Sequence, residues 1–420
     1  MSLERDVEFI YELGALRFVD RTWKRFLNGD FANNAEHLFR VTWIALIIAK
    51  HEGVTNLERV MKMAIAHDIA ESRTGDVDYL SRQYVTRDEA AGLADMAAKA
   101  PMRTDAIFWI ASMTKPITAT AVLMLQEEGK LSVDDPVAKY LPELGGLKTP
   151  AGEPAKLTLR HLLTHTSGMP EATAEQYRQA KSLAELIPFY AGKSLKFEPG
   201  SKWQYCQSGI NSLGRIVEVV SGQSFPAFLQ KRMFDPLGMK DTAFYLSSEQ
   251  LARLARTYRR TAATLEEAPI SFLNGHQPTD HDRFPAPNGG LFSTASDYAR
   301  FCRMILKQGA LDGERYLKPE SVKLMTSIQT GDLKTGFTEG NGWGLGWCVV
   351  RQPQGITAML SAGTFGHGGA YGTQAWIDPV KQGIYLLMVQ RSDFPNSDDS
   401  SVRRAFQAPA ASALGFGGER

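Results

Sequence analysis

The stretch IFWIASMTKPITATAVLMLQEEG, residues 107–129, decides how the C-terminal part of this chain folds. It predicts a short extended segment that leads into a long buried helix, which ends near Gly129. Ser112 and Lys115 stand three residues apart at the start of that helix, so their side chains share one face and can exchange a proton. The helix N-terminus also favours negative charge that develops beside the serine. The pair is compatible with a nucleophilic serine, provided that burial keeps the lysine amine neutral, but by itself it is a weak signal because any helix can contain it by chance.

Composition limits the classes of protein to which the chain can belong. The chain has 420 residues, 43% of them hydrophobic, and this length favours two domains or more. Its 47 basic and 46 acidic residues leave a net charge of +1, so no partner among nucleic acids or anionic membranes is expected. We see no export signal and no apolar stretch of membrane-spanning length. The three cysteines lack the spacing of a zinc site or a disulfide framework, so we expect a cytoplasmic protein.

The pattern along the chain indicates two parts. Up to about Asp88 the apolar residues recur at intervals of three and four, which predicts helices alone. The texture changes near Gly92, so we place a helical domain at 1–90 and a second domain at 91–420. Short helical segments broken by Pro-Gly turns predict an all-α insertion over about 130–330. Strands are expected only near the end, in the runs GLGWCVV (344–350), GAYGTQAWIDP (369–379) and GIYLLMVQ (383–390).

Further motifs follow the Ser112 stretch in a fixed order. They are LTLRHLLTHTSGM (157–169), FEPGSKWQYCQSGINSLGRIVEVVSG (197–222), NGGLFSTASDYARF (288–301) and FGHGGAYGTQAWIDP (365–379). From Pro101 to about Ala405 the set resembles the serine β-lactamase-like superfamily. It is most similar to the branch with class C β-lactamases, family VIII carboxylesterases and related D-amino-acid peptidases. The resemblance implies an α+β fold, in which helices flank an antiparallel sheet and a large all-α insertion interrupts the domain.

The resemblance also implies roles for individual residues. Ser112 would be the nucleophile, with Lys115 as its partner. Tyr205 would shuttle the proton to the leaving group, as a phenolate or as a hydrogen-bonded hydroxyl. The backbone N–H groups of Ser112 and Ala370 would form the oxyanion hole. His367-Gly368-Gly369 would take the place of the Lys-Thr-Gly motif, where glycines let a substrate approach the strand closely.

Two departures from the β-lactamase pattern bear on the substrate. The second motif reads Tyr205-Cys206-Gln207 where a Tyr-x-Asn is usual, so the amide lies one methylene further out. His367 replaces the lysine that grips a substrate carboxylate, and an ordinary histidine is largely neutral at neutral pH. Both changes favour uncharged, short-chain carboxylic esters as substrates. The alternatives are β-lactamase or D-amino-acid peptidase activity, and a penicillin-binding-like receptor that is acylated without turnover.

Other residues near the motifs have structural interpretations. His161 and His165 lie four residues apart, but the resemblance places them at a structural helix end and not in a metal site. Several aromatic residues flank the motifs and either line an acyl pocket or pack in the core: Trp109, Trp343, Trp347, Phe365 and Tyr371.

The N-terminal part carries a second resemblance. RFVDRTW (17–23), NNAEHLFRV (33–41) and AHDIAESRTGDV (66–77) are similar to the opening of an HD-type metal-dependent phosphohydrolase. The resemblance implies a divalent-metal site with His37, His67 and Asp68 as ligands; Glu71 and Asp76 would lie near the water, and Arg21 would contact phosphate. The last aspartate of such a site would fall where the chain already resembles the hydrolase, so the unit is interpreted as truncated and its site as vestigial. Ester hydrolysis itself needs no cofactor, and a metal-dependent nucleotide phosphohydrolase is the alternative from a different class.

The truncation has a counterpart in the second domain. Members of the β-lactamase-like branch usually begin with a helix and two strands before the segment matched by GLADMAAKAPM (92–102). These strands are missing here, so the last strand (383–390) would keep an apolar edge. We expect that the N-terminal helices cover this edge, or that two chains pair through it as a homodimer.

Overall fold

A computed structural model of the protein describes residues 34–51, 55–58, 60–61, 93–95, 100–261 and 265–415. The chain divides into two compact units, residues 1–85 and residues 86–420. The described part of the first unit contains helix α1, Asn34–His51. Within the described residues no helix is long and apolar enough to cross a membrane.

The second unit mixes helices with short strands. Its helices are α2 (Thr114–Glu127), α3 (Leu159–Leu163), α4 (Ala174–Gln179), α5 (Leu183–Ala191), α6 (Gln207–Ser221), α7 (Phe225–Leu229), α8 (Asp235–Leu237), α9 (Ser248–Leu251), α10 (Ala295–Leu306), α11 (Pro319–Thr326) and α12 (Ser401–Gly415). Its strands are β1 (Leu93–Asp95), β2 (Ala100–Pro101), β3 (Phe108–Trp109), β4 (Tyr258–Arg260), β5 (Leu265–Glu267), β6 (Phe292–Ser293), β7 (Ala310–Leu311), β8 (Glu314–Arg315), β9 (Asn341–Trp343), β10 (Cys348–Val350), β11 (Phe365–Gly368), β12 (Gln374–Asp378) and β13 (Gly383–Leu387).

The last five strands form one antiparallel sheet in the order β13-β12-β11-β10-β9. Side chains alternate between its two faces. Trp376 and its neighbour Tyr385 in β13 pack against Ala410 of α12. On the other face, the ring of Phe365 meets Trp347, which stacks on Phe301 of α10. Helices therefore flank the sheet, and the predicted α+β fold is confirmed.

Helix α2 forms the centre of the domain. Every residue from Thr114 to Leu125 is buried, which is the pattern of a helix surrounded by protein on all sides. The only ionisable side chain in that stretch is Lys115, which is fully buried. The helix thus fixes Lys115 in the interior of the unit, one residue after its first turn begins and three residues after Ser112.

The insertion differs in detail from the all-α prediction for residues 130–330. It is mainly helical, but it also contains strands β4 to β8, each of two or three residues. Such strands are too short to show an alternating pattern, which explains why the sequence did not indicate them.

Strand β13 lies at the edge of the sheet, and in the described ranges no strand pairs with its outer side. Its coverage by N-terminal helices or by a second chain stays a prediction.

Candidate active site

Ser112 lies in a tight turn, Ala111–Met113, between β3 and the start of α2. The turn is held because the Ile110 N–H donates to the Leu291 carbonyl at 3.0 Å. Ala111 adopts a left-handed backbone with φ of 47°, a conformation that costs energy for a residue with a Cβ. Ser112 itself is partly exposed although both its neighbours are buried, so the turn presents the hydroxyl to a cavity.

Lys115 reaches back to the serine. Its Nζ lies 3.1 Å from Ser112 Oγ and donates to the carbonyl oxygen of Asn288 at 2.6 Å. Burial lowers the pKa of Lys115 to about 7, although Glu171 acts in the opposite direction. A large fraction of the amine is therefore neutral at neutral pH and can accept the serine proton.

Tyr205 completes the group on the other side of the lysine. Its ring centroid lies 4.5 Å from Lys115 Nζ, and its hydroxyl lies 3.4 Å from His367 Nε2. Burial raises the pKa of Tyr205 well above its ordinary value, and the Ser112 side chain opposes this only in part. Of the two forms left open by the sequence, these conditions favour the neutral hydroxyl over the phenolate.

His367 lies on β11 and is buried. Its Nδ1 is 2.7 Å from the carbonyl oxygen of Gly368. Because a carbonyl can only accept, Nδ1 carries the proton and Nε2 is left as an acceptor for the Tyr205 hydroxyl. Burial, together with the nearby Lys115, lowers the pKa of His367 to about 3, so this ring is neutral in the physiological range.

Two backbone N–H groups point to an oxyanion site. The amides of Ser112 and Ala370 both belong to residues that line the cavity, and among the described residues neither has a hydrogen-bond acceptor. Gly369 brings the two chain segments together, since a Cβ there would lie 2.7 Å from the Ile110 carbonyl oxygen and would overlap Thr373 Oγ1. Only a glycine lets β11 approach the Ser112 turn this closely.

Gln207 is held beside the reacting group by residues to which the sequence assigned no role. Its backbone N–H donates to Glu171 Oε1 at 2.6 Å, so this carboxylate caps helix α6. Its side-chain oxygen accepts from Asn288 Nδ2 at 2.9 Å. Asn288 thus contacts both Lys115 and Gln207. In the sequence, Asn288 was indicated only as the first residue of the 288–301 motif.

His165 supports Tyr205 from behind. Its carbonyl oxygen accepts from the Gln204 N–H at 2.9 Å, and its Nδ1 accepts from the Cys206 N–H at 3.1 Å. These bonds hold the two residues that flank Tyr205, and the rings of His165 and Tyr205 are 4.5 Å apart. His161 instead takes part in the cap of helix α3 with Thr158.

The site opens into a cavity of about 640 Å³. Ser112, Tyr205, Gln207 and the segment 367–370 form part of its lining. Of the five aromatic residues that flank the motifs, Trp109 lines the cavity, whereas the other four do not. The remaining aromatic wall comes from residues that the sequence did not single out: Tyr177, Phe272, Phe284, Phe337 and Phe394.

The proposed metal ligands of the N-terminal part are not placed together by the structure. His37 lies on α1, but its side chain is not described, and His67 and Asp68 lie outside the described residues, as do Arg21, Glu71 and Asp76. Within the ranges that the structure does describe, no group of three or more suitable side chains could hold a metal ion. The divalent-metal site therefore stays a prediction.

Comparisons with known proteins agree with this geometry. A family model described as Beta-lactamase matches residues 75–409, and an HD domain model matches residues 13–109. Esterase EstB of Burkholderia gladioli is 31% identical over 339 residues, which cover 73% of this chain and 82% of the relative. Penicillin-binding protein 4 of Amycolatopsis lactamdurans is 33% identical over 289 residues, which cover 68% of this chain and 71% of the relative.

Solved structures show the same likeness. EstCE1, a hydrolase with promiscuous acyltransferase activity, superimposes with a TM-score of 0.65 and is 25% identical; the match covers 77% of this chain and 88% of that one. The octameric penicillin-binding protein homologue from Pyrococcus abyssi gives a TM-score of 0.58 at 27% identity and covers 77% of this chain and 69% of that one. Because the Beta-lactamase model matches most of the chain, the chain belongs to the Beta-lactamase family of serine hydrolases, and it carries an HD domain segment at its N-terminus.

Proposed function

We propose that the protein is a carboxylesterase that hydrolyses short-chain esters through an acyl-enzyme on Ser112. The observation that carries the proposal is the contact of Lys115 Nζ with Ser112 Oγ at 3.1 Å, combined with a lysine pKa of about 7. In the first step the neutral amine takes the Ser112 proton while Oγ attacks the ester carbonyl carbon. The N–H groups of Ser112 and Ala370 stabilise the oxyanion that results.

The second half of the reaction uses the same groups. When the tetrahedral intermediate collapses, the C–O bond to the alcohol breaks and the leaving oxygen takes a proton from the Tyr205 hydroxyl, which Lys115 replenishes. A water molecule then attacks the acyl carbon, and Lys115 accepts the water proton through Tyr205. When this second intermediate collapses, the bond between the acyl carbon and Ser112 Oγ breaks, Lys115 returns the proton to Oγ, and the carboxylic acid leaves. No cofactor enters these steps.

The preference for esters over β-lactams rests on His367. A buried imidazole with a pKa of about 3 offers no positive charge at the place where β-lactamases hold a substrate carboxylate. Relatives named as esterases support this choice. A cavity of about 640 Å³ exceeds the volume of a short acyl group, so the rest of it would hold the alcohol.

The test is turnover of p-nitrophenyl acetate and butyrate. We expect Ser112→Ala to abolish it and Ser201→Ala, an exposed serine, to leave it unchanged. Equal turnover in Ser112→Ala would overturn the proposal.

Two other functions have specific support. Relatives named penicillin-binding protein 4 and putative D-alanyl-D-alanine carboxypeptidase favour a β-lactamase or D-amino-acid peptidase as the second candidate. Nitrocefin hydrolysis faster than ester hydrolysis would reverse the order. Mass spectrometry that finds a stable β-lactam adduct on Ser112 without turnover would indicate a penicillin-binding-like receptor.

The HD domain match favours a metal-dependent nucleotide phosphohydrolase as a separate activity, which chelators would abolish.

A further inference from the structure

Asp398 is an acidic residue in the wall of the active-site cavity to which neither the motifs nor the reaction assign a role. It lies in the turn before α12, and its side chain rests against strand β11. A Cβ placed on Gly368 would overlap Asp398 Oδ1, so the carboxylate occupies the space beside this strand position. Gly368 follows His367 directly, which places the acid next to the polar groups of the site.

The two oxygens of this carboxylate have different surroundings. Oδ1 is 3.3 Å from the side-chain nitrogen of Gln374, which can donate to it. In the part of the chain that the structure describes, the second oxygen has no hydrogen-bond partner and no cation within salt-bridge distance. A carboxylate held on one side and unpartnered on the other is available to a group that enters the cavity.

Arg403 attracts the Asp398 carboxylate but forms no salt bridge with it. Arg403 is fully buried; it gives one N–H to the backbone oxygen of Asp398 at 2.7 Å and stacks on Trp376 at 4.2 Å. Lys115 is held by Ser112 and Asn288, and His367 is neutral. Burial raises the pKa of Asp398, and Arg403 and Gln374 oppose this.

The charges of the cavity wall are few. The described lining residues include one acid, Asp398, and one arginine, Arg283, together with His276, which faces Asp280 at 3.8 Å. Arg283 is buried, donates to the Phe244 and Pro278 carbonyl oxygens and stacks on Tyr245, and it makes no contact with β11. The cavity wall therefore presents an acidic side chain without a salt bridge to any described residue beside the third motif.

We propose that Asp398 sets the charge preference of the site, so that neutral and cationic esters are accepted and esters that carry a second, anionic group are rejected. The inference rests on the proposed function. Two like charges a few ångströms apart in a partly dry cavity repel strongly, whereas a cation at the same position is attracted. Asp398 acts here independently of His367. The neutral imidazole does not attract a substrate carboxylate, whereas the Asp398 carboxylate repels one.

The experiment compares three p-nitrophenyl esters of similar length at pH 8. They are the butyrate, the hemisuccinate and the 4-(trimethylammonio)butyrate, which are neutral, anionic and cationic. For Asp398→Asn, we expect the ratio of kcat/KM for the anionic ester to that for the neutral ester to rise about tenfold or more. The ratio of the cationic to the neutral ester should fall. Asp399→Asn is the matched control, because it removes the same charge from an exposed side chain that does not line the cavity.

The outcomes separate the two proposals. If Asp398→Asn changes all three esters in parallel, or if Asp399→Asn changes the ratios equally, this inference is wrong. If turnover of every ester survives in Ser112→Ala, the esterase assignment fails first. Should Asp398→Asn not fold, Asp398→Ser and the salt dependence of the wild type replace it, since screening should raise the anionic-to-neutral ratio. A wild-type ratio that does not respond to salt would then also count against the proposal.

Discussion

Ester turnover by this protein is expected to rise about tenfold between pH 6 and pH 8, because one buried amine must lose its proton. Lys115 accepts the Ser112 proton only as the neutral amine, and its pKa is about 7. The neutral fraction is then about 9% at pH 6, about 50% at pH 7 and about 91% at pH 8. Since deprotonation produces the active form, kcat/KM increases with pH and reaches a plateau above about pH 8.

Three titrating groups beside Lys115 lie outside this window. The pKa of His367 is about 3, and that of Tyr205 is well above its ordinary value. Burial also lowers the pKa of His165 well below its ordinary value. Among these four groups, Lys115 is therefore the one expected to titrate between pH 6 and pH 8.

The assay is kcat/KM for p-nitrophenyl butyrate from pH 5.5 to pH 9, followed in a pH-stat and corrected for spontaneous hydrolysis. His367→Asn is expected to lower the rate but to keep the inflection near pH 7. Lys115→Arg, which stays charged, should leave little turnover at any pH in this range. A flat wild-type profile between pH 6 and pH 8, or an inflection that vanishes in His367→Asn, would refute the assignment.

Three further predictions concern single residues. Tyr205→Phe should lower kcat about a hundredfold or more with little change in KM in steady-state kinetics, since only the proton relay is lost; an unchanged kcat would exclude the relay. Gly214→Ala places a Cβ against Pro287, so it should reduce the free energy of unfolding, measured in urea, by about 1–3 kcal/mol. Gly192→Ala is the control, because its Cβ meets open space and should change that free energy by less than about 0.5 kcal/mol. Equal values for the two variants would contradict the packing argument. His165→Ala should change kcat by a larger factor than it changes KM, and the change in kcat is a decrease. His165→Asn should restore part of the lost kcat, because asparagine tolerates a φ of 59° and keeps a hydrogen-bond acceptor. Equal kcat values in the two variants would argue against a positioning role for His165.

The sequence was most informative where the chemistry is local or belongs to a recognisable motif. Ser112 and Lys115 meet because three residues of helix bring them together. Tyr205 and His367 come from motifs far along the chain, and the structure places both beside the lysine. The α+β fold follows from the same motifs and is confirmed.

The sequence did not indicate contacts that join loops or use the backbone. The Asn288 carbonyl accepts from Lys115 across 173 residues, and no side-chain type marks a backbone acceptor. Asp398 stands in the polar run SDDSS, which looks like an ordinary surface segment. Its place in the cavity depends on how the turn before α12 packs on β11, and that packing is a property of the whole domain.

The reacting groups and the aromatic residues of the cavity wall come from different segments of the chain. The groups that make and break bonds lie in the turn before α2, in α2 itself, just before α6, and in or directly after β11. Phe272, Phe284 and Phe394 line the cavity from other segments of the chain. Phe272 is 59% exposed, so little of the core depends on it. Substitution of Phe272 should therefore change the shape of the cavity while the reacting groups stay in place, and natural divergence can follow the same route.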